Sequence, residues 1–114
     1  MQASKPKLPK FVSVGNLKFS IVQDDDALNE IAEELFKEPP SVRGATQLAK
    51  QLITLRSTGT YGDDLLKQIF AHELAHCFFN DIDIDATEEF VDDMGKVLLR
   101  FIRENPKVVA YLAG

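Results

Sequence analysis

The stretch QIFAHELAHCFFN, residues 68–80, decides how the rest of this sequence is interpreted. It contains the only two histidines of the chain, His72 and His76, with Glu73 directly after the first. On a helix, residues four positions apart lie on the same face, one turn from each other. Two imidazoles so placed can bind one zinc ion, and the glutamate between them can act as a general base. The pattern H-E-x-x-H therefore predicts a helical Zn²⁺ site with His72 and His76 as ligands and Glu73 as the catalytic base.

The helix that carries this motif has apolar residues on almost every side. Asp63 and Asp64 suit its first turn, where negative charge is favourable. The apolar residues are Leu65, Leu66, Ile69, Phe70 and Leu74. Such a pattern predicts a helix in the centre of the domain. The alternative to a metal site is a pair of half-buried histidines that are satisfied by hydrogen bonds.

Composition limits the classes of protein that the chain can represent. With 114 residues, 45% of them apolar and 27% charged, it is typical of one soluble domain. Its formal charge of −5 disfavours nucleic-acid binding, and no apolar run is long enough for a membrane helix. The single cysteine, Cys77, excludes an internal disulfide and suits a reducing compartment. We therefore expect a cytoplasmic protein that binds neither nucleic acid nor membrane.

The rest of the chain predicts an α+β fold in a single domain, residues 10–114, after a flexible N-terminus, residues 1–9. Alternating apolar residues around Gly15-Asn16 predict a β-hairpin. A second strand pair is favoured over a short helix in the segment before the motif. The predicted elements are strands over 11–14, 17–22, 42–47 and 51–56, and helices over about 24–37, 63–80 and 87–104. Acidic residues 24–26 suit the start of the first helix, Pro39-Pro40 its stop, and Asn105-Pro106 the end of the last helix. This gives a short β-sheet with about three helices, the motif helix being central.

The third ligand is expected on the last of these helices. A catalytic zinc site with two histidines usually has one more protein ligand. At about 100° per residue, the buried side of the helix is expected to consist of Val91, Met94, Leu98, Phe101 and Ile102. Glu88 falls near this side, whereas Glu89 points to solvent. Asp92, one turn after Glu88, can accept the free ring N–H of a ligand histidine. Gly95 within the same helix indicates close approach of another element, plausibly the motif helix.

Two other features are not expected to bind the metal. The segment NDIDIDA resembles the start of a calcium loop, but Ala86 stands where such a loop needs glycine and Asp92 where it needs glutamate. We interpret it as a solvated acidic connector. Cys77 faces a different direction from His76 and is interpreted as a small core residue.

HELAH, followed after the acidic connector by TEEFVDDMG, resembles the glutamate-type zincin metallopeptidases. More narrowly, it is similar to small phage and mobile-element metallopeptidases related to the ImmA/IrrE group. The resemblance implies a minimal zincin fold, with a β-sheet before the motif helix. It assigns the zinc ligands to His72, His76 and Glu88. Larger zincins add a tyrosine or histidine for the oxyanion, a role that stays unassigned here.

These observations predict a zinc metallopeptidase that acts on a protein or peptide substrate. The substrate is expected to lie extended beside an edge strand, and residues 53–56 are the segment that we expect to contact it. Two alternatives remain open from the sequence. One is a zinc protein without catalytic activity, and the other is an interaction protein of a phage or mobile element. The sequence does not predict an oligomeric state.

Overall fold

Two β-hairpins lie side by side and form one four-stranded sheet. The computed structural model describes residues 7–35, 43–57, 59 and 62–114. Gly15 at the first hairpin turn has a φ of +60°, which glycine adopts without strain. The elements of the described chain are β1 (Phe11–Val14), β2 (Leu17–Gln23), α1 (Asp25–Leu35), β3 (Gly44–Gln47), β4 (Leu52–Leu55), α2 (Asp63–Asp81), α3 (Glu88–Glu104) and α4 (Pro106–Ala113).

The strand order in the sheet is β1-β2-β4-β3. Both hairpins are antiparallel, and β2 and β4 pair in parallel, which requires a crossover such as the one that contains α1. The α+β fold and both predicted strand pairs are thus confirmed. The expected edge position of residues 53–56 is wrong, because Thr54 lies opposite Val22 on one side and Ala45 on the other. The edge strand on that side of the sheet is β3.

Helix α1 begins as its acidic first turn predicts. The side chain of Asp24 accepts a hydrogen bond of 3.0 Å from the backbone N–H of Ala27, which satisfies one of the free N–H groups at the helix start. Leu28 and Ala32 of this helix are buried and form its inner side. The helix is described as far as Leu35, and the predicted continuation to residue 37 and the stop at residues 39–40 lie outside the described residues.

Helix α2 occupies the centre of the molecule, as its apolar composition predicts. Ile69 and Cys77 pack with Phe19 and Ile53 of the sheet in one hydrophobic cluster. A second cluster, on the opposite side of α2, joins Ala75 and Phe79 to Val91 of α3. α2 therefore has the sheet on one side and α3 on the other.

Helix α3 runs antiparallel to α2. Its N-terminus is capped by Thr87, whose side chain accepts a hydrogen bond from the backbone N–H of Phe90. Near the other end, Arg103 forms a 2.7 Å ion pair with Asp64 in the first turn of α2. The prediction that Phe101 and Ile102 are buried is wrong, since they are 44% and 43% exposed. Ile102 lies level with the start of α2, where little of that helix remains to cover it, and Phe101 lies on an outer flank of α3.

A fourth helix, α4, follows α3 almost directly. Asn105-Pro106 ends α3 as predicted, but Pro106 also begins α4 at a first-turn position, where its missing N–H is not needed. The described chain thus has four helices, one more than the roughly three expected.

No described helix has both the length and the apolar character needed to span a membrane.

Candidate metal centre

The two histidines of the motif lie side by side on α2, as their spacing requires. The ring centroids of His72 and His76 are 5.1 Å apart, and the ring planes meet at 72°. Their side chains are 22% and 30% exposed, so each ring has a buried edge and an accessible edge. The accessible edges face the start of α3.

Glu88, the first residue of α3, contacts both rings. Its Oε2 lies 3.2 Å from Nε2 of His72, and its Oε1 lies 2.9 Å from Nε2 of His76. The side chain is 73% exposed, so solvent can reach it. Thr87 fixes the start of the helix and thereby the position from which Glu88 extends. The structure thus brings together the three residues predicted as ligands.

The donor atoms of these three residues suit a single metal ion. One atom from each of His72, His76 and Glu88 lies within 4.8 Å of the other two. Ligand atoms bound to one tetrahedral zinc at about 2.0–2.2 Å are separated by about 3.4 Å. The observed separations are close to this value, at 3.2 Å from Nε2 of His72 to Oε2 of Glu88 and 2.9 Å from Nε2 of His76 to Oε1. In the described ranges no other group of three potential donors is found.

Asp92 contacts the other nitrogen of His72. Its Oδ1 lies 3.2 Å from Nδ1 of that ring, and its Oδ2 forms a 2.8 Å ion pair with Lys96. The hydrogen bond from Lys96 lowers the pKa of Asp92, with a smaller contribution from His72. A carboxylate at Nδ1 favours the tautomer in which Nε2 has a free lone pair. Asp92 thus stands where the sequence predicted it and directs Nε2 of His72 toward Glu88.

Glu73 is the buried acid of the site, with only 5% of its surface exposed. The hydroxyl of Thr46 on β3 donates a 2.8 Å hydrogen bond to its Oε1. Burial raises the pKa of Glu73, whereas the Thr46 hydrogen bond and the two histidines act in the opposite direction. The carboxyl is thus held in an environment that favours taking up a proton.

Gly44 gives Glu73 the room that it occupies. A Cβ atom at Gly44 would stand 3.1 Å from Oε2 of Glu73 and 2.9 Å from Cγ2 of Ile69. The start of β3 therefore passes close to the acid because no side chain intervenes. Neither Gly44 nor Thr46 was predicted as part of the site, and the only signal for them was the weak strand pattern of residues 42–47.

A cleft of about 430 Å³ adjoins His72 and Glu73 between α2, α3 and the start of β3. Leu65, Ile69 and Leu99 form its apolar walls, and the charged residues Arg43 and Lys96 also line it. A second hollow of about 310 Å³ adjoins His76 on its other side. Space on both sides of the histidines is compatible with a chain that passes across the site.

The structure places the remaining candidates away from the donors. Glu89 is exposed, as its helical phase predicts. Cys77 is 1% exposed within the cluster between α2 and the sheet, which confirms its interpretation as a core residue. Tyr111 is 83% exposed on α4, and Tyr61 lies outside the described residues. The residue that would stabilise an oxyanion therefore stays unassigned.

No protein-family model, curated protein or solved structure compared with this chain matches it. The arguments for function therefore depend on the geometry and chemistry of the residues described above.

Proposed function

We propose that this chain is a zinc-dependent metallopeptidase. His72, His76 and Glu88 hold the metal ion in the proposal, and Glu73 is the general base. The observation that carries it is the convergence of three donor atoms within 4.8 Å, next to a glutamate that is only 5% exposed. Neither feature alone is specific, but a buried acid beside a two-histidine, one-carboxylate group is the arrangement that metal-assisted hydrolysis requires.

The donor set supports zinc over magnesium and calcium. Two imidazole nitrogens and one carboxylate oxygen form a common set for catalytic zinc, whereas magnesium and calcium prefer oxygen donors. When bound, an ion of this type makes a water molecule acidic near neutral pH and polarises a carbonyl group. Asp92 contributes by fixing the ring of His72, so that its Nε2 is available as a ligand.

Glu73 moves the proton during hydrolysis. Its carboxylate takes a proton from the attacking water and then donates it to the nitrogen of the departing amine. The Thr46 hydroxyl holds Oε1 in place, so the side chain does not have to be ordered during the reaction. Burial favours the protonated form of Glu73 and so supports the first of these transfers. No covalent bond to the enzyme is needed.

The substrate is a peptide segment that lies extended beside β3. Among the described strands, β3 lies at the edge of the sheet, and an edge strand can offer its outer N–H and C=O groups to an extended peptide. Through Gly44 and Thr46, the same strand contacts Glu73. The proposal thus replaces residues 53–56 by β3 as the docking strand. A cytoplasmic location is part of the proposal, because the single Cys77 is a free thiol.

The first experiment measures the metal content of the purified protein. Wild type is expected to bind about one zinc ion per chain, and His72→Ala and His76→Ala to lose it. Glu88→Ala is expected to weaken binding, whereas Glu89→Ala, the matched control one residue along, retains it. Loss of zinc from Glu89→Ala but not from Glu88→Ala would overturn the ligand assignment. Failure of wild type to bind added zinc would overturn the site.

The second experiment separates catalysis from metal binding. Glu73→Gln keeps the size and the acceptor oxygen of the side chain but cannot take up the proton, so it should bind zinc and lose peptide hydrolysis. A peptide library incubated with zinc-loaded wild type and Glu73→Gln, analysed by mass spectrometry, tests this difference. Equal cleavage by both proteins would rule out Glu73 as the base.

A zinc protein without catalytic activity is the second candidate. The observation in its favour is that α3 is attached mainly through α2, so that a metal held by Glu88 would tie the two helices together. In that case chelation would unfold the protein, and Glu73→Gln would leave its biological effect unchanged. The same outcome for the Glu73→Gln variant is expected for an interaction protein of a phage or mobile element.

A further inference from the structure

Helix α3 carries a stripe of apolar side chains that its own domain covers only in part. The stripe consists of Phe90, Met94, Val97 and Phe101, with spacings of four, three and four residues. Phe90, Val97 and Phe101 are 57%, 54% and 44% exposed, and Met94 is half-buried. This spacing is the heptad pattern by which one helix packs along another.

The stripe lies on the flank of α3 that faces away from the candidate metal centre. Val91 and Gly95 are buried against α2 and define the inner side of α3. Glu88 and Asp92 lie on one flank of that inner side, and the stripe lies on the other. In the described part of the chain, α3 packs mainly against α2, with a smaller contact to α4. The ring of Phe90 meets that of Phe79 on α2 at a centroid distance of 5.6 Å, and Met94 packs partly against the same cluster, but most of the stripe is exposed and does not overlap the cleft.

Two opposite charges border this stripe on its solvent side. Asp93 precedes Met94, and Arg100 precedes Phe101, so both occupy the same position of the heptad, seven residues apart. In an antiparallel helix pair, equivalent positions of this type face each other across the interface. Asp93 and Arg100 thus lie on opposite sides of the middle of the stripe.

We propose that α3 pairs with α3 of a second copy of this chain, antiparallel and about a two-fold axis. The axis passes between Met94 and Val97. Phe90 then packs near Phe101 of the second copy, and Met94 near its Val97. Asp93 faces Arg100 of the second copy, and the two-fold symmetry gives the interface two such ion pairs.

The charges select this arrangement and this partner. A parallel pair would place Asp93 opposite the position of Leu98, which belongs to the inner side of α3, and would form no ion pair there. A two-fold interface requires a surface that is complementary to itself. An acidic and a basic residue at equivalent heptad positions, one on each side of the centre of the stripe, meet that requirement. A second copy therefore fits this face without any additional partner.

The proposal does not depend on zinc or on peptide hydrolysis. The cleft beside His72 and Glu73 lies on the other flank of α3, so it stays open in the dimer. Each dimer would carry two such clefts, facing away from the interface.

The first test is the mass of the protein in solution, by sedimentation equilibrium from about 1 µM to about 1 mM, the range in which a weak dimer assembles. Wild type is expected to be a dimer at the upper end, and Phe101→Glu and Val97→Glu to be monomers. Ile82→Glu, at a side chain that is 59% exposed outside α3, is the matched control and should remain dimeric. Circular dichroism verifies that each variant is folded. A monomeric wild type at every concentration would overturn the proposal, as would dimers of both stripe variants.

The second test exchanges the charges. Asp93→Arg and Arg100→Asp each create two like-charge pairs, and each should weaken the dimer about tenfold or more. Mixing the two variants, or combining them in one chain, restores opposite charges and should restore the dimer. Dimers that form by another interface would be insensitive to all of these changes, and that result would refute the antiparallel pairing.

Discussion

The backbone of Gly95 on α3 lies against the backbone of His72 on α2, with no room for a side chain between them. A Cβ atom at Gly95 would stand 2.9 Å from both the Cα and the N of His72, and 3.0 Å from the carbonyl carbon of Ala71. The close contact that the sequence predicted at Gly95 is therefore confirmed, and the motif helix is the element in contact. It sets the helix separation at which Glu88 reaches both histidines.

Gly95→Ala should separate the two helices. Alanine favours the helical backbone by about 1 kcal/mol over glycine, but the new methyl group meets rigid backbone, and overpacking of this kind costs about 1–3 kcal/mol. We expect a net loss of stability and weaker zinc binding, because Glu88 moves with α3. Urea unfolding and zinc titration measure the two effects.

Glu89→Ala, an exposed position on the same helix, is the control for Gly95→Ala. It changes helix propensity without altering the contact with α2. If Gly95→Ala proved more stable than wild type and bound zinc as tightly, the close contact would not set the helix separation.

Asp92→Asn should weaken zinc binding without removing a ligand. Asparagine can present its N–H₂ group to Nδ1 of His72, which favours the tautomer with the wrong nitrogen toward the metal. Loss of such a supporting carboxylate typically costs 10- to 100-fold in metal affinity. Competition with a chromogenic chelator measures this change. Asp93→Asn, one residue further on and facing solvent, should bind zinc as wild type does.

The sequence predicted the parts of the site that lie on helices. Helical periodicity relates His72 to His76, and it distinguishes Glu88 from Glu89, because phase within one helix is fixed by 100° per residue. The position of Asp92 follows from the same rule. These relationships are local, so no knowledge of the tertiary fold was needed.

The contribution of the sheet could not be predicted in the same way. Thr46 and Gly44 reach Glu73 only because β3 lies at the edge, next to α2, and strand order depends on pairing between distant segments. From the sequence pattern we predicted the strands correctly, but we expected residues 53–56 to lie at the edge of the sheet. The exposure of Ile102 likewise depends on where α2 begins relative to α3, and periodicity within α3 gives no information on that.

Thr46→Val should destabilise the protein by about 1–3 kcal/mol, since it removes the hydrogen bond to a buried carboxyl group. Thr46→Ser retains the hydroxyl and should recover most of the loss, which separates the hydrogen bond from the strand propensity of the residue. Urea unfolding of the metal-free proteins measures both. Equal stability of the valine and wild-type proteins would show that the Glu73 carboxyl does not depend on Thr46.

Cys77 should be unreactive in the folded protein. Burial raises the pKa of its thiol to about 11, so little thiolate exists at pH 8, and the sulfur is in addition shielded by the core. A chromogenic disulfide reagent should react with Cys77 only after unfolding in urea. Cys77→Ser should lower stability by placing a hydroxyl in an apolar cluster, yet leave zinc content unchanged. A loss of zinc from this variant would indicate that Cys77 is a zinc ligand.

Glu73→Gln should make the metal-free protein more stable at neutral pH, although it removes the proposed base. Burial raises the pKa of Glu73 above its ordinary value of 4.5, so the folded state binds this proton more tightly than the unfolded state. Below about pH 4 the carboxyl is protonated in both states, and the variant and wild type should have similar stability. As the pH rises through the raised pKa, the cost of the buried charge develops in wild type only, and the glutamine variant gains the advantage. Urea midpoints at pH 4 and pH 7, in the presence of a chelator, test this difference. Equal midpoints at pH 7 would mean that Thr46 and the histidines already offset the burial of the Glu73 charge.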